Sequence, residues 1–313
     1  MDYSLYKLEF TTPLHIGRDT GGASLDNGQM AIHSDTVFSA LCCEAARGGR
    51  LEELVSYFTE GVLVLSDALP YAGDELFFPK PILHTTNLLR EGDSGLKKKL
   101  KDIDYIPLSG FDNYLENLAT NNLDLDSLRH NFGQLNTLTR VAIRGNTAPL
   151  PYHVACWRFA KGCGLYVVVA YMGETARNLF EYLLARLGLS GVGGKRSSGW
   201  GKFSVQRDIM PQDLRSRLED VSAPYQMLLG TALPVDSEIE EILQDGWYTV
   251  IRRGGFIDSD TYSAGQLKKK TTYMLGPGSC LRCRFQGGMH DVSDNGCHPV
   301  WRLANSLFVG VNI

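Results

Sequence analysis

The chain has 313 residues, 43% of them hydrophobic, and a formal net charge of −4. That length and apolar content support a real core, most simply two, and exclude disorder and collagen-like structure. The slightly acidic total excludes a free-standing, uniformly basic nucleic-acid binder, so any nucleic-acid contact must be local, with other faces acidic or covered by protein. The apolar runs, such as Leu165 to Met172, fall far short of the roughly 20 residues that span a bilayer, so no membrane association is expected. Met1-Asp2-Tyr3-Ser4 lacks the basic and apolar regions of a signal peptide. Seven cysteines, two of them adjacent at Cys42 and Cys43, suit free thiols in a reducing cytoplasm better than a disulfide framework.

Residues 3–10 alternate and predict a strand. A turn-rich stretch follows, from Thr11 to Asn27. Ser34-Asp35 offers an N-cap to a helix over 36–47, with Val37, Ala40, Leu41 and Ala45 on its apolar face and Gly48-Gly49 ending it. Strands are expected at 61–66 and 75–79. Residues 80–150 differ in texture, with a lysine cluster (Lys97, Lys98, Lys99, Lys101) and an Asn-rich stretch, and are expected to be an insertion with some helix and a hairpin. A β-rich run over 164–172 leads into an amphipathic helix over 174–187. Its stripe is Ala176, Leu179, Phe180, Leu183 and Leu187, with Gly188 at its end. A glycine-rich loop and a strand over 200–207 follow. The order strand, helix, strand, insertion, strand, helix, strand is βαββαβ, the ferredoxin-like arrangement.

Residues 208–224 are polar and predict a linker. Beyond it, strands are expected at 225–234, 246–256, 271–275, 280–285 and 307–311, with a short acidic helix over 236–245. The fold class expected is α+β: two ferredoxin-like (RRM-like) domains, 1–207 and 223–313. The second is degraded, and the first carries the insertion.

The loop over 188–201 holds six glycines in fourteen residues, where average usage predicts about one. Glycines permit positive φ and close backbone approach, and successive exposed amides can form an anion nest. Lys195 and Arg196 add charge, Ser197 and Ser198 hydroxyls, and Trp200 a stacking face. Amides, cations and an aromatic are the parts that single-stranded RNA requires. The bland alternative is a plain connector with its tryptophan in the core. A nucleotide-binding P-loop fails, because Arg196 stands where Ser or Thr is needed and the loop follows a helix instead of a strand. The dinucleotide pattern fails because Arg196 occupies the third glycine position.

The segment Gly191-Val-Gly-Gly-Lys-Arg-Ser-Ser-Gly-Trp-Gly-Lys-Phe203 resembles the glycine-rich loop of the RAMP superfamily of CRISPR proteins. Other stretches narrow the resemblance: Pro13-Leu-His-Ile-Gly17, Ile32-His-Ser-Asp-Thr-Val-Phe-Ser-Ala-Leu41, Arg253-Gly-Gly-Phe256, Met289-His-Asp-Val-Ser293, His298-Pro-Val-Trp301 and Phe308-Val-Gly-Val311. Together they resemble the fourth subunit of the type III-A Csm effector over residues 3–312, most weakly across 80–150. The resemblance implies a non-catalytic subunit without a cofactor. It would cap the foot of the ribonucleoprotein, hold the repeat-derived 5′ handle of the crRNA and bridge the large polymerase-like subunit to the backbone RAMP filament. Target RNA would be met only indirectly. By the same resemblance, Gly191, Gly193, Gly194, Lys195, Arg196, Ser197 and Ser198 contact the handle. A hairpin thumb is placed around Leu138 to Asn146, with Arg140 and Arg144.

His15 has three readings: a nucleotide contact, a structural hydrogen-bonder, or a general base, which would need partners around a scissile phosphate. Arg18 reads either as a phosphate contact or as a solvated arginine. Arg252 and Arg253, before Gly254-Gly255, suit a phosphate-backbone contact in the second domain, whereas Lys268-Lys-Lys270 reads as a solvated face. Cys280, Cys283, His290 and Cys297 have zinc-ligand chemistry. In a strand, however, Cys280 and Cys283 would point to opposite faces, so no metal is expected. Hydrolase signatures are absent. Two rivals stand beside the non-catalytic reading. One is a metal-independent CRISPR-RNA endonuclease using His15 or His33, and the other is a protein–protein adaptor with a vestigial loop.

Overall fold

The computed structural model describes residues 1–18, 25–83, 100–120, 124–142, 148–259, 262–263, 265 and 267–312. The first half runs β1 (Asp2–Phe10), α1 (Ser34–Arg47), α2 (Leu51–Thr59), β2 (Leu63–Leu65), β3 (Leu69–Ala72), β4 (Glu75–Pro79), β5 (Tyr105–Pro107) and α3 (Phe111–Thr120). The hairpin strands β6 (Gly133–Ala142) and β7 (Leu150–Phe159) follow, then β8 (Cys163–Tyr171), α4 (Glu174–Ser190) and β9 (Phe203–Asp208). The remainder is α5 (Gln212–Glu219), β10 (Tyr225–Leu228), α6 (Ile239–Leu243), β11 (Val250–Arg253), β12 (Thr272–Leu275), β13 (Cys280–Leu281), β14 (Met289–Asp291), β15 (Trp301–Leu303) and β16 (Phe308–Val311).

The alternation read in residues 3–10 belongs to β1, an interior strand next to the edge strand β9 in an antiparallel sheet ordered β5-β4-β3-β8-β1-β9, with β2 also on β8. All nine residues of β8 are buried. Successive side chains of a strand point to opposite faces, and both faces here are covered. Leu165, Val167 and Val169 meet α1, α2 and α4, while Tyr166, Val168 and Ala170 meet α3, α5 and the second sheet. That second sheet, β13-β10-β16, carries Tyr225, Met227, Val309 and Val311 into the same apolar cluster as Leu5 of β1. The two halves therefore share a core, in which each fully buried aliphatic side chain contributes about 1.5–3 kcal/mol.

The expected faces of the two long helices are found where periodicity placed them. Val37, Leu41 and Ala45 are buried in α1, joined by Phe38, and all five predicted stripe residues are buried in α4. Four local expectations are corrected. The second helix does not stop before Gly188 but runs to Ser190. A Cβ at Gly188 would lie 2.4 Å from the Phe203 carbonyl, so this glycine lets helix and strand approach and terminates nothing. The strand expected from residue 200 starts at Phe203. The expected linker contains α5, whose Leu214 and Leu218 are buried one turn apart. The strand expected over 280–285 is reduced to Cys280–Leu281, because Arg284 turns back to donate to Gln226 Oε1 at 2.6 Å and to the Leu218 carbonyl at 2.8 Å. Helix α2 was not anticipated, although Leu54 and Phe58 repeat at helical spacing on its buried face.

Two buried carboxylates join the halves. Asp67 Oδ1 accepts from the amides of Ser34 at 2.7 Å and Thr231 at 3.0 Å, and its Oδ2 pairs with His33 Nδ1 at 2.6 Å. Asp35, in the first turn of α1, accepts from Arg253 Nε at 3.0 Å and Nη2 at 2.8 Å. Arg302 stands 3.6 Å from the same carboxylate and also donates to the carbonyls of Arg253 and Gly254. Burial alone would raise the Asp35 pKa, but Arg253, with His33 and Arg302 behind it, outweighs burial and holds it down at about 2.

Candidate nucleic-acid interface

Residues 13–17 form a rail between the hairpin and the glycine-rich loop. Leu14 exchanges both backbone bonds with Trp157 of β7, at 2.9 and 2.7 Å. On the other side the amides of Gly194 and Gly201 donate to the carbonyls of His15 and Pro13, each at 2.8 Å. The loop glycines make this close packing possible. A Cβ at Gly193 would sit 2.4 Å from the His15 carbonyl, and one at Gly201 would sit 2.0 Å from the Val192 carbonyl, both residues having positive φ.

The same bonds take up part of the loop's amide set. The amides of Gly191, Gly194, Ser198, Gly199 and Gly201 all donate to carbonyls within the fold. The loop also presents side chains outward: Lys195, Arg196 and the exposed Ser197 and Ser198, around a one-turn 3-10 helix. Lys195 takes a left-handed backbone, φ 64°, which a non-glycine residue rarely adopts. Its ammonium is held over the Tyr152 ring at 4.8 Å and donates to the Tyr152 hydroxyl at 3.3 Å.

Trp200 is also corrected. It is only 5% exposed, packed with Val154 and Cys156 of β7, and the Arg140 guanidinium caps its ring at 5.0 Å. The indole faces protein, as the bland alternative held. Hairpin and loop, read as separate features, thus form one unit: Tyr152 and Arg140 on β7 and β6 grip Lys195 and Trp200. Arg144 lies outside the described residues, as do Lys97, Lys98 and Lys99.

His15 is 5% exposed. Its Nδ1 lies 2.7 Å from the Ala155 carbonyl; a carbonyl only accepts, so Nδ1 carries the proton and, in the neutral ring, Nε2 is the acceptor. Burial, with Lys195 adding to it, pushes the imidazole below its usual range against the opposing effect of that carbonyl. A Cβ at Gly194 would come 2.6 Å from His15 Cδ2, so the ring buttresses the loop from beneath.

Between this loop and the second half lies a cleft of about 1000 Å³. One wall is His15 to Arg18, α1 at Ser39 and Arg47, and the loop from Val192 to Ser197; the other is Arg252 to Asp258 with Lys268, Lys269 and Thr271. Eight cations line it: Arg18, Arg47, Lys195, Arg196, Arg252, Arg253, Lys268 and Lys269. Among the described lining residues Asp258 is the only carboxylate, and it pairs with Arg196 across the opening. The solvated-face reading is therefore corrected for Lys269, whereas Lys268 and Lys270 are exposed as expected. Lys269 donates to Ser39 Oγ at 2.9 Å, and burial lowers its pKa. No local pattern could have shown this, since the opposing residues are brought together only by the packing of the two halves. Arg253 lines the cleft with its guanidinium bound to Asp35 and Thr36, so it braces the floor. Arg252 Nη2 lies 3.4 Å from Thr271 Oγ1. Cys280 is buried within β13, and among the described residues no group of three or more His, Cys, Asp or Glu could hold a metal ion. No described helix is long and apolar enough to cross a membrane.

Comparison with known proteins places this architecture. Residues 7–204 match the RAMP superfamily, and residues 221–311 match the CRISPR Csm4 C-terminal domain. The chain is 33% identical over 312 residues to a CRISPR system Cms protein Csm4 of Mycobacterium tuberculosis strain H37Rv, covering 99% of this chain and 98% of that one. It is 29% identical over 322 residues to the Csm4 of Streptococcus thermophilus, covering all of both. Among solved structures, a chain from a Csm3-Csm4 subcomplex of a type III-A CRISPR-Cas interference complex superposes with TM-score 0.68 at 16% identity, covering 99% of this chain and 100% of that one. A chain from a Csm1-Csm4 cassette with AMPPNP gives 0.59 at 20%, covering 100% and 99%. With family models matching both halves and a relative one-third identical along its whole length, the chain belongs to the RAMP superfamily and, within it, to the Csm4 family.

Proposed function

We propose that this chain is a non-catalytic RNA-binding subunit of a type III-A CRISPR effector complex in antiviral defence. It holds the 5′ handle of the crRNA and bridges the large polymerase-like subunit to the backbone filament. The observation that carries the reading is the cleft, whose described lining holds eight cations and one carboxylate beside the glycine-rich loop. Clustered Lys and Arg on one face of an otherwise acidic chain are the electrostatic footprint of local phosphate binding. The partners follow from family membership, since solved Csm4 relatives stand beside Csm3 and Csm1. The strand order β9-β1-β8-β3, with α1 and α4 on one face, supports a ferredoxin-like reading of the first half. In the second half, the three strands of β13-β10-β16 and the short α6 suit a degraded version of the same fold.

Purifying the tagged protein from its host and sequencing the RNA that accompanies it tests the proposal. RNAs sharing one repeat-derived 5′ tag, recovered with other CRISPR subunits, are the expected result. Heterogeneous RNA, or none, would remove the reading. Defined cleavage of repeat RNA in EDTA, lost on His15→Ala, would replace it with a nuclease. Asp258→Asn supplies a second test. It removes the one acid of the described lining and releases Arg196, so affinity for single-stranded RNA is expected to rise about threefold at 0.1 M salt, the scale of an exposed ion pair. The gain should vanish at high salt in a filter-binding titration.

A further inference from the structure

With Trp200 buried, the loop has no aromatic face to offer a base. The opposite wall has one. Phe256 is 45% exposed and, among the described residues, is the only Phe, Tyr or Trp lining the cleft. It directly follows Gly254-Gly255. Its backbone is fixed by an isolated bridge to Lys268, by the Ile257 amide donating to the Leu267 carbonyl at 2.9 Å, and by the Lys269 amide donating to the Gly255 carbonyl at 2.9 Å. The neighbouring Ile257 is buried and anchors the segment. Lys268 Nζ lies over the Phe256 ring, 5.6 Å from its centroid. A large exposed phenylalanine in a cationic cleft is costly to hydrate and does nothing for phosphates. Its π-face is what an unstacked nucleobase seeks, because every base can stack on it and the cations beside it hold the adjoining phosphates.

We propose that Phe256 is the stacking platform for one nucleobase of the RNA held in the cleft, with Lys268 backing the ring and the glycine-loop cations taking phosphates from the opposite wall. This rests on the RNA-binding reading above and adds to it a contact with a base from the second half of the chain.

The test compares the full chain with its Phe256→Leu, Phe256→Tyr and Lys195→Ala/Arg196→Ala variants in equilibrium binding to two probes. One is a single-stranded RNA of eight nucleotides; the other is inorganic polyphosphate of similar charge. Loss of one stack is expected to weaken RNA binding by Phe256→Leu about tenfold, with polyphosphate binding unchanged and Phe256→Tyr close to wild type. The loop double variant should weaken both probes. If Phe256→Leu weakens both equally, or neither, the platform is overturned while the cleft reading stands. If wild type binds RNA no better than polyphosphate, the platform is likewise overturned. If the loop double variant binds RNA as wild type does, the cleft reading itself fails.

Discussion

Replacing Asp35 with alanine is expected to destabilise the chain by about 3–5 kcal/mol, the cost of leaving buried guanidinium groups without their counter-charge. Arg253 donates to both carboxylate oxygens and Arg302 stands 3.6 Å away, with both arginines largely out of solvent. Asparagine keeps the shape and loses the charge, so Asp35→Asn should fall on the same side. A coupled change of Asp35 and Arg253 to apolar residues should recover part of the loss, because it no longer strands one partner. Equilibrium denaturation in urea reads this as a lower midpoint with an unchanged slope. The pH dependence has a definite sign. The Asp35 carboxyl is held at about 2 in the folded chain, below its ordinary value of 3.8. Its contribution is therefore complete above about pH 4 and is lost as pH falls through about 2. Wild type should lose stability across that window, and Asp35→Ala should show a flatter acid limb there. A variant as stable as wild type at pH 7 would show that the tie between α1 and the second half contributes nothing.

The second large effect is expected on RNA. Lys195→Ala with Arg196→Ala removes the two cations that the loop carries into the cleft. Charge-assisted hydrogen bonds contribute about 1.5 kcal/mol each at the low end, so the pair should weaken RNA binding by about 3 kcal/mol, on the order of 100-fold. For single strands the salt slope changes by about 0.7 per phosphate contact, so a plot of log affinity against log salt should flatten by about 1.4. Two features make Lys195 the more exacting of the pair. Its left-handed backbone is a strained conformation of the kind found at binding sites, and its ammonium is aimed by Tyr152. Tyr152→Phe keeps the ring and removes the hydroxyl, and should cost a fraction of the double variant's loss. Arg196, by contrast, must leave Asp258 before it can meet a phosphate, and part of its binding energy is offset there. An unchanged affinity and slope in the double variant would rule out the loop as a phosphate clamp.

The parts of the molecule that were legible in advance are those with a local period. The alternation of β1 and the stripes of α1 and α4 follow from one-sided burial, which writes itself into the sequence at spacing 2 or 3.6. Helix α5 was hidden because only Leu214 and Leu218 carry its apolar face among charged neighbours. Gly188 and Trp200 misled for a different reason: each residue type has two common uses, and the choice between them is made by what packs against it. For Gly188 that is the Phe203 carbonyl, and for Trp200 it is Arg140 and Val154. The far wall of the cleft could not be read at all. Lys269 meets Ser39 across 230 residues, and nothing in the local pattern of Lys268-Lys-Lys270 separates a cleft lining from an ordinary solvated turn. Phe256 carried a faint signal, an aromatic after two arginines and two glycines, which gains meaning only once the opposite wall is known.

The position of β1 has a consequence for how the protein is made. Its neighbours are β8 and β9, so Leu8 pairs with Leu165 on one side and Val205 on the other. This early strand is thus an interior one, and more than 150 residues separate it from β8, its first partner in chain order. At about 5–20 residues per second, that delay is on the order of 10–30 s. Asp35 waits longer still, 218 residues, for Arg253. During synthesis the apolar residues of β1 lack a partner strand, while the Asp35 carboxylate stays hydrated until folding buries it beside Arg253. The burden of keeping that strand soluble falls on the polar residues that alternate through β1, notably Lys7 and Glu9.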